Sequence, residues 1–96
     1  MAIIAMFTGK GFTKDMYERL RQEVAWETDP IDGWMMHAVC FDESGDIRMT
    51  NVCESIEKME EGFVSRLMPV MKKIGIPPPR AEIYPAYNVN VFTANV

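Results

Sequence analysis

Gly33-Trp34-Met35-Met36-His37-Ala38-Val39-Cys40-Phe41 decides how the rest of the chain is read, because it is apolar at odd and even positions alike and carries the only histidine. A strand with one face in water alternates polar and apolar side chains. This one does not, so it is expected to be a central strand with apolar matter against both faces. His37 is then expected in an interior where a polar group needs a hydrogen-bond partner. The segment follows the loop Thr28-Asp29-Pro30-Ile31-Asp32 and ends at Asp42-Glu43-Ser44-Gly45-Asp46, the strongest turn signal in the chain.

Beyond that turn, Ile47–Cys53 is a second strand-like run, and the two runs form an antiparallel hairpin. If Phe41 faces Ile47, the register pairs Val39 with Met49, His37 with Asn51, Met35 with Cys53 and Cys40 with Arg48. Asn51 thereby becomes the cross-strand neighbour of His37. Cys40 falls on the face opposite Cys53, so both cysteines are expected to be free thiols. Neither belongs to a spacing such as C-x-x-C, and one histidine has no second ligand at a recognisable interval, so no metal centre is expected.

Working outward, Ala2–Phe7 reads as a first strand and Gly9-Lys10-Gly11 breaks it. Thr13 is a good N-cap, Asp15 suits the positive end of the helix dipole, and Met16, Tyr17, Leu20 and Val24 share one stripe. The first helix is expected over Lys14–Trp26. Ser55 caps a second helix, in which Ile56, Met59, Phe63, Leu67, Val70, Met71 and Ile74 follow at helical spacing. Pro69 has no N–H for the carbonyl of Ser65, so a kink or restart is expected between Arg66 and Pro69, and Gly75 ends the helix. Pro77-Pro78-Pro79 is a stiff spacer. Ala81–Tyr84 starts a last strand that Pro85 confines to an edge, with Tyr87 to Phe92 continuing as an extended arm.

Strand, helix, strand, strand, helix, strand is the ferredoxin-like α+β order: one domain over residues 1–96, a four-stranded antiparallel sheet with two helices on one face. A chain of 96 residues buries about 60–65% of its unfolded surface, enough for a single two-layer core. The helices cover one sheet face only. The other, apolar in the first and second strands, would be an exposed patch, and a homodimer packed through that face removes it. With a net charge of -4 and scattered Lys and Arg the chain lacks the basic surface that nucleic acid requires. Ala2–Phe7 is too short to span a membrane and has no basic flank like that of a signal peptide, so a cytoplasmic location without membrane attachment is expected. Nine methionines serve either as core filler or as a deformable lining for an apolar ligand.

Gly33-x-x-x-His37, the turn at Gly45, Asn51-Val52-Cys53-Glu54-Ser55, Phe63, Arg66-Leu67-Met68-Pro69 and Pro85-x-Tyr87-Asn88 together resemble the dimeric α+β barrel superfamily. The likeness in pattern is to small uncharacterised proteins similar to the antibiotic biosynthesis monooxygenases. It extends over nearly the whole chain and implies fold more than reaction. Two positions depart from the resembled pattern: Cys53 stands where Trp is common before the Glu-Ser cap, and Tyr87 stands where His is common before the terminal Asn. Haem-degrading members would place their histidine on a helix, whereas His37 lies on a strand.

His37 beside Asn51 is the most suggestive pair, since an imidazole oriented by an amide is either a general base or a partner for a phenolic ligand. The alternative is a core histidine satisfied by its neighbours. No carboxylate is placed by sequence to support a relay. Tyr17, Trp34, Tyr84 and Tyr87, with Cys53, are expected either to line a cavity between helices and sheet or to serve as core and dimer contacts. Cys53 has no adjacent base and abuts Glu54, which would raise its pKa. Arg48 and Arg66 either hold a ligand carboxylate or form surface ion pairs. No flavin, haem or nucleotide motif is present, and Gly9-Lys10-Gly11 lacks the phosphate-loop spacing, so no cofactor is expected. The expected function is binding of a small apolar or aromatic molecule within each subunit. The alternative is a cofactor-independent monooxygenase or isomerase acting on an electron-rich aromatic or polyketide-like substrate. A cavity reaching His37 separates both from a purely structural role.

Overall fold

The structure is a computed structural model that describes residues 1–92. Strand β1 (Ile3–Gly9) leads to helix α1 (Lys14–Val24), then the hairpin of β2 (Trp34–Phe41) and β3 (Ile47–Cys53). Helix α2 (Ile56–Gly62), a π-helical turn (Phe63–Leu67) and helix α3 (Met68–Ile74) precede β4 (Arg80–Pro85). The four strands form one antiparallel sheet in the order β2-β3-β1-β4, the ferredoxin-like α+β arrangement.

That order corrects the expectation for Trp34–Phe41: β2 is an edge strand of the subunit, and β3 and β1 are central. Apolar residues on both faces record what lies above and below a strand. They are silent about what pairs beside it, because hydrogen-bonding neighbours use backbone rather than side chains.

The hairpin register is as read from the turn outward, with Phe41 opposite Ile47, Val39 opposite Met49, Cys40 opposite Arg48 and His37 opposite Asn51. It departs at the far end. Trp34, not Met35, pairs with Cys53, and an irregularity between Trp34 and Met36 leaves Met35 unpaired. The extra residue reverses the alternation. Trp34 is therefore turned to the side of Cys53 and partly buried, while Met35 is exposed.

The caps follow their chemistry. Thr13 accepts from the backbone N–H of Met16 at 3.2 Å and Ser55 from that of Lys58 at 3.1 Å. Helix α1 ends two residues earlier than its spacing predicts, at Val24, because Ala25 turns left-handed at φ 58. In the second helix Pro69 is accommodated by the π-helical turn, where the N–H of Met68 reaches back to the carbonyl of Phe63. A new helix, α3, then begins with Pro69 in its first turn, where the missing N–H has no intrahelical partner to lose.

Alternation sorts the sheet into two faces. On the helix side, Ile3, Ala5 and Phe7, then Ile47, Met49, Asn51 and Cys53, then His37, Val39 and Phe41 lie under the helices. There Phe12, Tyr17, Leu20, Val24, Ile31, Ile47, Leu67, Met71 and Ile76 form the main core, and Ile3, Ala5, Cys53 and Met59 a smaller one. The opposite face carries Ile4 and Met6, Met36, Ala38 and Cys40, Val52, and Tyr84, with Arg48, Arg80 and Glu82 among them. No helix covers it. Every residue of β4 is exposed. The two thiols are free, Cys40 exposed and Cys53 buried.

Candidate functional site

Asn51, His37 and Tyr17 form one polar chain across three elements. Asn51 on β3 is buried, and its Oδ1 accepts from Nδ1 of His37 on β2 at 2.5 Å. With Nδ1 carrying the proton, the neutral ring keeps a lone pair on Nε2, which accepts from the Tyr17 hydroxyl of α1 at 2.8 Å. The cross-strand half of the chain follows from the hairpin register. The Tyr17 half arises where α1 docks its apolar stripe on the sheet.

An aromatic wall surrounds the imidazole. The Tyr17 ring lies nearly parallel to it at 6.0 Å, and Trp26 meets it edge-on at 5.2 Å with 70° between planes. Tyr17 in turn contacts Trp26 at 5.8 Å and the edge of Phe41 at 6.2 Å. Burial pushes the pKa of His37 below its ordinary value, against the Asn51 hydrogen bond and the charge of Glu27, which raise it. The ring is therefore neutral at pH 7. Burial also pushes the Tyr17 hydroxyl up to about 12, so Tyr17 remains a donor.

Glu27 is the charged neighbour that sequence reasoning missed. It sits in the loop after α1, and its negative charge favours the protonated form of His37 without a hydrogen bond to the ring. Arg21 grips it through Nε at 2.8 and 2.9 Å and through Nη2 at 2.5 Å, which holds its carboxyl below the usual range. A Glu six residues after an Arg spans a helix end. The left-handed Ala25 brings them together, and nothing in the spacing announces that turn.

The same loop is held from beneath. Arg66, in the π-helical turn, donates to the carbonyl of Val24 at 3.0 Å and to that of Asp29 at 2.7 Å. Val24 O is one of the carbonyls that a helix end leaves without an intrahelical partner, so a guanidinium there completes α1. The ion-pair reading of Arg66 holds in part, through Asp29 at 3.4 Å, but its main partners are backbone. Arg48 pairs with Asp42 at 3.5 Å.

The remaining sequence candidates separate. Trp34 and Cys53 share the helix side with His37, where Trp34 Nε1 donates to the carbonyl of Lys58 at 3.3 Å. The Cys53 thiol is completely buried and pushed up to about 11 by that burial, not by Glu54, and is no nucleophile at neutral pH. Tyr84 pairs with Ile4, putting it on the opposite face of the sheet from Tyr17. Tyr87 lies past β4 and is fully exposed. The expected ring of four aromatics therefore does not close within one subunit, because the sheet stands between its members.

Two surface hollows stand out. One of about 580 Å³ is lined by Glu60, Glu61, Val64 and Ser65. The other, about 370 Å³, lies where β1 and β4 meet the start of α2, among Ile3, Ser55, Ile56, Ile83, Tyr84 and Pro85. Neither is lined by Tyr17, His37 or Asn51. Beside His37 the indole of Trp26 takes up the room. Among the described residues no group of three or more His, Cys, Asp or Glu side chains is placed to hold a metal ion, and no helix is long and apolar enough to cross a membrane.

No family model and no curated protein matches the chain. Solved structures do. A conserved protein of Methanosarcina mazei superposes with a TM-score of 0.66 at 12% identity, over 88% of this chain and 91% of that one. A candidate antibiotic biosynthesis monooxygenase of Deinococcus radiodurans gives 0.59 at 17%, over 98% and 100%. SnoaB of Streptomyces nogalater, described as a cofactor-independent oxygenase, gives 0.66 at 8%, over 92% and 94%. At such identities the likeness is one of fold: the chain has the ferredoxin-like α+β fold of the antibiotic biosynthesis monooxygenase-like proteins.

Proposed function

We propose that the protein is a cytoplasmic homodimer, packed through the open sheet face, whose subunits each bind a small hydroxylated aromatic molecule at His37. The observation that carries the ligand reading is the Asn51–His37–Tyr17 chain itself. It ends in the Tyr17 hydroxyl, which donates to the unprotonated Nε2 and keeps oxygen lone pairs able to accept from a ligand hydroxyl, inside a wall of Tyr17, Trp26 and Phe41 rings. A phenolic ligand offers the two things this wall can satisfy, an apolar ring and one donor. Trp34 and Cys53 extend the apolar lining on the same face. Tyr84 and Tyr87 belong in this reading to the dimer contact.

The dimer rests on a different observation. Met6 and Tyr84 on the open face, and Tyr87, Val91 and Phe92 beyond β4, are all exposed. A second copy provides the cover that the subunit lacks. Light scattering is expected to give twice the 11.0 kDa chain mass at micromolar concentration, and a mass of one chain overturns the dimer.

The ligand reading is tested by calorimetric titration with 2-naphthol and with naphthalene, which lacks the hydroxyl. Wild type is expected to prefer 2-naphthol about tenfold, the worth of one hydrogen bond of about 1.4 kcal/mol. Tyr17→Phe, which removes the acceptor at the end of the chain, is expected to erase that preference. Equal affinities in wild type, or binding of neither compound, sinks the reading.

Oxygenation without a cofactor is the second reading, favoured by the neutral imidazole and by the fold shared with SnoaB. Nε2 would take the proton of the ligand hydroxyl through that of Tyr17, the ring carbanion so formed would be oxidised by dioxygen, and the balanced outcome is phenol plus O2 to quinone plus water, with a ring C–H replaced by C=O and the second oxygen atom leaving as water. Dioxygen uptake with an electron-rich phenol, lost on His37→Leu while ligand binding persists, is the expected result. Uptake unchanged in that variant removes His37 from the chemistry.

A further inference from the structure

We infer that the indole of Trp26 is a displaceable stopper, occupying beside His37 the seat that a bicyclic aromatic ligand takes. The inference rests on the ligand reading above and adds how the site is entered.

Four observations converge on Trp26. Its ring meets the imidazole edge-on at 5.2 Å and Tyr17 at 5.8 Å, so it already fills an aromatic seat. An indole is a flat fused bicycle, and a ligand of that size replaces it contact for contact. Neither of the two hollows described above is lined by Trp26 or His37.

The second observation is how differently the two tryptophans are tied. Trp34 donates its Nε1 to the carbonyl of Lys58 at 3.3 Å. Among the described residues the Trp26 indole makes no such bond, and its hold is ring packing alone. Ring packing is what an aromatic ligand returns on displacement, whereas a directed hydrogen bond would be lost.

The third is the backbone on which Trp26 stands. It follows Ala25, the one residue other than glycine with positive φ among those described. A left-handed alanine is held only where its surroundings enforce it, and such positions recur at ligand clamps. The fourth is that enforcement. Ala25 O accepts from the N–H groups of Thr28 at 3.2 Å and Asp29 at 2.8 Å, while Arg66 grips Val24 and Asp29 on either side. The frame stays fixed, and the indole is the part able to swing.

The test compares 2-naphthol binding to wild type and to Trp26→Ala by titration calorimetry. A second measurement follows Trp26 directly: 19F NMR of wild-type protein labelled with 5-fluorotryptophan, whose two tryptophan resonances are told apart by the one that Trp34→Phe lacks. A stopper lowers apparent affinity by the fraction of time it is in place, so Trp26→Ala is expected to bind at least about tenfold more tightly. In the labelled protein the Trp26 resonance is expected to move towards that of the urea-unfolded chain as 2-naphthol saturates. Wild type that binds 2-naphthol with its hydroxyl preference, alongside Trp26→Ala that binds equally or more weakly, overturns the stopper and leaves the ligand reading standing. Should Trp26→Ala not fold, an unmoved 19F resonance at saturation overturns the stopper alone. Binding by neither protein removes the ligand reading and the stopper together.

Discussion

Strands β2 and β4 hold the same place in the sheet, one at each edge, and meet opposite fates. Beneath β2 lie α1, the π-helical turn and the loop of Trp26, and its His37 is wired to Tyr17 and Asn51. Beneath β4 the cover is thin, the start of α2 alone: Ile83 points to the helix side yet is 37% exposed, and Tyr84 on the other side is 52% exposed. Two helices of 11 residues and of three short segments span only part of a four-stranded sheet. The covered edge is where a subunit builds chemistry of its own. The bare edge is where the proposed dimer would pack.

The largest expected effect strikes the bare edge. Placing Asp at Tyr84, which a twofold contact would bury twice, is expected to weaken the proposed dimer about a hundredfold or more, roughly 2.7 kcal/mol, read by sedimentation equilibrium. The same variant is expected to cost the separated chain less than about 1 kcal/mol, since Tyr84 is half exposed on an edge strand. A chain destabilised by several kcal/mol would show that β4 is covered within the subunit after all.

Next comes the covered edge. Asn51→Ala strands the Nδ1–H of His37 in a buried place and is expected to cost about 2 kcal/mol in urea unfolding. Glu82→Ala on the bare edge is expected to cost less than about 0.5 kcal/mol. Equal costs would erase the contrast between the two strands.

The effect of pH should also separate them. Because burial lowers the folded-state pKa of His37, the unfolded chain binds the proton first as pH falls. The contribution of His37 to stability is therefore complete above about pH 6.5 and is lost as pH drops through the folded value, with a slope of at most about 1.4 kcal/mol per pH unit. Subtracting the melting profile of His37→Leu from that of wild type isolates this slope. A flat difference between pH 7.5 and 5 would show that His37 titrates as freely as an exposed residue.

The smallest effect is at the loop. Ala25→Gly relieves the left-handed alanine but frees the unfolded chain, and a net gain of about 0.5 kcal/mol is expected in thermal unfolding. A loss would mean that the methyl group of Ala25 packs against something the strain argument leaves out.

Legibility in the sequence followed the range of the interactions. The caps at Thr13 and Ser55, the break near Pro69 and the pairing of His37 with Asn51 all depend on residues close in sequence or on one tight turn, and each was readable. Met35 was not. A bulge of one residue leaves no mark in a run where every side chain is apolar, and it decides which side Trp34 faces. Tyr17 was a candidate on its own, but nothing in α1 says that its hydroxyl lands on Nε2. Trp26 reads as the end of the first helix and Glu27 carries no signal of its own, and their approach to His37 depends on the unannounced left-handed turn at Ala25.

By itself the sequence determined the order of elements, the hairpin register near its turn, the partner of His37 across that hairpin and the apolar character of both faces of the first two strands. These rest on periodicity and on short loops, whose geometry permits few alternatives. Only the tertiary structure decided that β2 is an edge, that Trp34 turns inward, and that Tyr17, Trp26 and Glu27 gather around one imidazole. Those choices depend on how a helix docks on a sheet and on where one residue takes a left-handed turn. The free energies involved are small and summed over many contacts, and no local pattern carries them.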